Sequence, residues 1–121
     1  MKLQFDRQQL RVRIDEDELA TLLGGSEVTT ATQAGEAFIL RCTLQLHAHE
    51  AARLDGPATQ CHLHLPEAAV RDLASRLPTR DGLQFSIPGH EQTEPLRLLF
   101  DVDVRDSARR LKTARHPISG P

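Results

Sequence analysis

The sequence predicts an α+β fold: a mostly antiparallel curved sheet or half-open barrel of about seven strands, with two helices. Three observations lead there. Residues 10–25 and 61–77 follow one plan. Apolar residues come first at alternate positions (Leu10, Val12, Ile14; Cys61, Leu63, Leu65), then at helical spacing (Leu19, Leu22, Leu23; Val70, Leu73, Ala74, Leu77). A period of two marks a strand with one buried face, and a period of 3.6 an amphipathic helix. Residues 38–49 carry the longest alternation, with Phe38, Leu40, Cys42, Leu44 and Leu46 on one side. All four Phe fall on the apolar side of their runs, which predicts that every aromatic ring lies in the core.

Taken in order, residues 2–5 alternate, and Asp6-Arg7-Gln8-Gln9 turns the chain into residues 10–14, giving a hairpin without the Asn-Gly signal. Asp15 is an N-cap, and Glu18 completes a capping box. Gly24-Gly25 closes the helix, because glycine enters the left-handed region without strain. Residues 26–33, rich in Thr and Val, favour a strand, and Ala34-Gly35-Glu36 a turn. After residues 38–49, Asp55-Gly56-Pro57 breaks the chain and residues 61–65 return as a strand. Pro66 suits the first helical position, whose amide lacks an intrahelical partner, and Pro78 stops that helix. Residues 83–87 and 96–104 supply the last strands.

Aligned, the halves match as strand, helix, strand, strand, with Ile14 against Leu65, Leu19 against Val70, Leu22 against Leu73 and Phe38 against Leu96. The match reads either as an internal duplication or as the regularity of any alternating α+β domain, and both helices are expected on the same side of one sheet.

At 121 residues the chain is one domain by size. Residues 1–104 hold 10 basic and 16 acidic side chains, and residues 105–121 hold five basic and one acidic. The body therefore forms a single α+β domain, followed by a basic tail expected to be mobile over residues 107–121. With no charged-then-apolar leader and no apolar run near the ~20 residues that span a membrane, a cytoplasmic location is expected. Two Cys do not make a disulfide framework. Both are in phase with the core and read as small hydrophobes.

Three segments, Leu10-Arg11-Val12-Arg13-Ile14, Leu63-His64-Leu65-Pro66 and Leu96-Arg97-Leu98-Leu99-Phe100-Asp101, resemble a family of short bacterial proteins of uncharacterised function. The resemblance covers about residues 1–104. It implies an N-terminal hairpin, two strand-to-helix passages, a closing strand and a bacterial cytoplasmic setting. That family carries no known catalytic residues, and its acidic, Pro-containing tail is replaced here by a basic one.

No catalytic signature is present: no P-loop, His-Glu-x-x-His, Gly-x-Ser-x-Gly or Cys-x-x-Cys. No nucleophile, base and orienting group can be named together, so the chain reads as a non-catalytic binding or interaction module without a cofactor. Its partner is a protein or a second copy of itself; Leu99, out of phase on the wet side, is either an ordinary exposed apolar residue or a dimer contact. Nucleic-acid binding is not expected, because single-strand readers stack bases on exposed aromatics.

The alternative is a ligand or metal site on the polar sheet face. Arg11, Arg13 and Arg41 could hold an anion. His47, His49, His62 and His64 form two His-x-His pairs, each on one face of its strand. Pairing of the two strands would set His47 opposite or diagonal to His62, close enough for imidazoles to share Zn, Cu or Ni. No carboxylate or Cys is evident in sequence to complete that set.

Overall fold

The computed structural model describes residues 1–104; the expected mobile tail lies outside the described residues. The α+β class stands, with ten elements: β1 (Lys2–Asp6), β2 (Gln9–Asp15), α1 (Glu16–Leu23), β3 (Val28–Ala34), β4 (Phe38–His47), β5 (Arg53–Asp55), β6 (Gln60–Pro66), α2 (Glu67–Ser75), β7 (Leu83–Ile87) and β8 (Leu96–Asp103). Among the described residues no helix is long and apolar enough to cross a membrane.

The eight strands make two four-stranded sheets, ordered β1-β2-β8-β7 and β3-β4-β6-β5, with no closed barrel among the described residues. Each sheet is two antiparallel hairpins joined by a parallel central pair, β2 with β8 and β4 with β6. Among the described residues four of the six ladders are antiparallel, as expected, but the expected single sheet is corrected to two mixed ones. Alternation fixes which face of a strand is buried, but it is blind to which distant strand lies beside it. The eighth strand, β5, has only three residues, too few to display a period.

The repeat is real and one strand longer than expected. Units β1-β2-α1-β3-β4 and β5-β6-α2-β7-β8 have the same order, and each gives one hairpin to each sheet. The parallel ladders show the equivalence: Gln9 pairs with Arg97 in the first sheet, and Gln60 with Arg41 in the second. Arg41 therefore corresponds to Arg97, whereas alignment of Phe38 with Leu96 would have set it against Leu99. Val12 against Phe100 corresponds to Leu63 against Leu44.

Inward residues of both sheets and both helices form one core. Leu10, Val12, Ile14, Leu98 and Phe100 meet Leu44, Leu63 and Leu65, with Leu19, Leu22, Val70 and Leu73 from the helices. Helix α1 packs on β2 and β8 of one sheet and on β3 and β4 of the other, α2 on β6 and β7, and the helices touch. The expected placement of both helices on one side of one sheet gives way to helices shared by two sheets.

Local chemistry explains the helix ends. The Asp15 carboxylate accepts from the Glu18 amide at 2.8 Å, and Glu18 Oε1 accepts from the Asp15 amide at 3.0 Å. Glu18 also takes the Met1 ammonium at 2.6 Å, which ties down β1. Gly25 supplies the left-handed residue, φ +94°, after α1. Pro66 is the N-cap of α2, one position earlier than expected, and offers no side-chain cap.

Two aromatic rings contradict the sequence reading. Phe100 is fully buried, but Phe5 is 58% exposed and Phe38 50% exposed. β6 begins opposite Arg41, so residues 38–40 of β4 have no β6 neighbour and project beyond the core. Phe5 lies on edge strand β1, beside the turn at Arg7. The Phe5 and Phe38 rings are open to solvent, so burial of the aromatics does not bar base stacking.

Candidate metal centre on the second sheet

The outer face of the second sheet gathers the histidines. In the parallel ladder Thr43 pairs with His62 and Gln45 with His64, while in the antiparallel ladder Arg53 pairs with His64 and Asp55 with His62. Alternation turns Cys61, Leu63 and Leu65 inward and leaves His62 and His64 outward. His47, at the end of β4, is diagonal to His64; the expected place opposite or diagonal to His62 is not taken, because the parallel register sets Thr43 against His62 and His47 against Pro66.

The rings form a chain. His62 and His64 stack with centroids 4.3 Å apart, His47 and His64 with 5.6 Å, and His49 meets His47 edge-on at 5.0 Å. His49 lies past the end of β4 and is exposed. Donor atoms of Asp55, His62 and His64 all lie within 4.8 Å of one another, the one such group of three among the described residues. Asp55 is the carboxylate that sequence reading lacked. It was hidden because it caps a three-residue strand; its signal was the alternation Arg53-Leu54-Asp55 just before Gly56-Pro57.

Neighbouring bonds orient these groups. His62 Nε2 donates to Gln45 Oε1 at 2.7 Å, so its lone pair is on Nδ1. His47 Nε2 donates to the Ala51 carbonyl at 2.7 Å, again leaving Nδ1. Arg53 Nε donates to Asp55 Oδ2 at 2.9 Å, and His64 Nε2 lies 3.5 Å from the same oxygen. Burial lowers the His64 pKa below its ordinary 6.5, and His62, His47 and Arg53 push the same way against Asp55. His64 is therefore held neutral, the form that ligates metal.

Gly56 has φ +101°, and a Cβ there would collide with the Gln60 carbonyl oxygen. Only glycine turns the chain this sharply after Asp55, which places the carboxylate over β6.

The arginines do not converge as a trio. Arg41 is on the second sheet, exposed and paired with Gln60. Arg11 and Arg13 are on the first sheet, and both hold Asp101: Arg11 Nη2 donates at 2.9 Å to Oδ2, and Arg13 Nε at 2.9 Å to Oδ1. Burial raises the Asp101 carboxyl, but the hydrogen bonds from Arg13 and Arg11 outweigh it and keep its pKa below the ordinary 3.8. Cys42 and Cys61 are direct ladder partners on the inner side. Burial, then the hydrogen bond with Cys61, pushes the Cys42 thiol up to about 12, so it is no thiolate nucleophile. Leu99, expected to be wet, is half-buried within the chain.

Compared with family models, curated proteins and solved structures, the chain matches none.

Proposed function

We propose that the protein is a non-catalytic binding module that holds a divalent transition metal (zinc, nickel or copper) on the outer face of its second sheet. The observation that carries this reading is the mutual approach of Asp55, His62 and His64 donor atoms within 4.8 Å. Two imidazoles and one carboxylate suit these borderline ions better than calcium or magnesium, which prefer all-oxygen sets. Support comes from the surrounding bonds. Ligating histidines are commonly oriented through the other ring nitrogen, as Gln45 orients His62. His47 stacks beside His64, with ring centroids 5.6 Å apart, and lies outside this group of three.

Zinc titration of the full chain by calorimetry tests this reading. One ion per chain is expected, with binding abolished in H62A/H64A and weakened roughly tenfold or more in D55N. Equal binding by wild type and H62A/H64A would overturn it.

A further inference from the structure

The repeat gives the first sheet a position equivalent to that of the Asp55, His62 and His64 cluster on the second. Lys2 pairs with Arg13 and Gln4 with Arg11 in the β1–β2 ladder, as Arg53 pairs with His64 and Asp55 with His62 in the β5–β6 ladder. The equivalent of the Asp55/His62/His64 cluster is therefore Gln4, Arg11 and Arg13, with Lys2 in place of Arg53. These four residues line a recess of about 90 Å³. Three are permanent cations at neutral pH, and the fourth offers an amide. No carboxylate lines the recess among the described residues.

We propose that this recess binds a phosphate group, as the free ion or as a monoester. Three facts favour an oxyanion. First, the chemistry is inverted relative to the other sheet: Arg and Lys donate hydrogen bonds and accept none, so the pocket can satisfy an anion and cannot ligate a metal. Second, the guanidinium groups are already ordered. Asp101 engages both from the β8 side through Nε and Nη2, which fixes their planes before any ligand arrives. Third, among the described residues Lys2, Arg11 and Arg13 outnumber the carboxylates shown acting on them, Asp101 and, on Arg13, Asp103. A recess this small admits one tetrahedral head and leaves the remainder of a monoester outside.

The test is a titration of the isotope-labelled full chain with inorganic phosphate and, separately, phosphoserine, in chelator-containing buffer with chloride at matched ionic strength as the control. Saturable shifts are expected at Lys2, Gln4, Arg11 and Arg13, with His62 and His64 unmoved. Response to inorganic phosphate alone assigns the free ion, and response to both assigns the phosphate group. Lys2→Gln, on an edge strand, should weaken binding roughly tenfold because it removes a charge-assisted contact, and should leave zinc binding unchanged. Shifts at the four residues no larger than those at exposed Arg71 and Arg76, or undiminished binding by K2Q, would overturn the proposal. Neither outcome bears on the metal centre, whose residues and probe are separate.

Discussion

Arg11 and Arg13 stand on the first sheet where His62 and His64 stand on the second, on strands that occupy the same place in the two units. Between them an apolar residue faces the core at the equivalent position, Val12 in one pair and Leu63 in the other. Above them the chemistry differs. An arginine pair cannot shed its protons, so close approach requires a fixed anion, which Asp101 supplies. A histidine pair can approach without a fixed anion, as the rings of His62 and His64 do with centroids 4.3 Å apart, because a neutral imidazole presents a lone pair. The repeat sets where side chains stand, and the residue type sets whether that place offers lone pairs or hydrogen-bond donors.

If the two units share one core, breaking either should cost alike. Ile14→Ala and Leu65→Ala occupy equivalent buried positions, and each is expected to cost about 2–5 kcal/mol in urea unfolding. A cost under about 1 kcal/mol for one of them would show that its sheet contributes little to the shared core.

Gly56→Ala sharpens the comparison, because the turn after β5 carries a glycine at positive φ, whereas the β1–β2 turn carries Arg7 there. The positive φ and the approach to Gln60 predict a loss of about 1–3 kcal/mol. Zinc affinity should fall with it as Asp55 is displaced, while the response of Lys2 to phosphate stays unchanged. Unaltered zinc affinity would remove Asp55 from the ligand set.

Asp101→Asn breaks the first face only. Loss of the shared carboxylate is expected to cost about 1–2 kcal/mol at neutral pH, since the guanidinium groups retain access to water. The sign follows from the depressed Asp101 pKa: its stabilisation is complete above 3.8 and fades as pH falls through the lower folded value. The gap between wild type and D101N should therefore close in acid. A gap that is constant with pH would separate the charge of Asp101 from its role.

Much of the fold was legible in sequence because burial writes itself as period. The capping box at Asp15 and Glu18, the turn at Gly25 and the inward phase of Val12, Leu44, Leu63 and Phe100 follow from short-range rules. What escaped was long-range or short-lived. No local rule pairs β2 with β8 across most of the chain, and the ends of β1 and β4 leave Phe5 and Phe38 beyond the core despite correct phase. The site was half legible. His62 and His64 declared themselves by spacing, but Asp55 needed β5, and Asp101 as the partner of Arg11 and Arg13 needed the β2–β8 ladder.

The smallest effect is a titration. The His64 imidazole should have its midpoint below 6.5. Asp55→Asn should lower it further, and His62→Gln should raise it, since these neighbours act with opposite sign. Because the folded value lies below the unfolded one, the folded state binds fewer protons in that window. Stability is full above 6.5 and declines as pH falls from 6.5 to the folded value. A His64 midpoint at or above 6.5 would contradict its desolvated setting.

The central claim, that equivalent faces carry opposite ligand chemistry, is tested most directly by following His and Arg side-chain resonances while zinc is added to the metal-free full chain. The expected result is saturation at one equivalent, with His62 and His64 shifting strongly and Arg11 and Arg13 still. Shifts at His62 and His64 no larger than those at exposed His90 would contradict it.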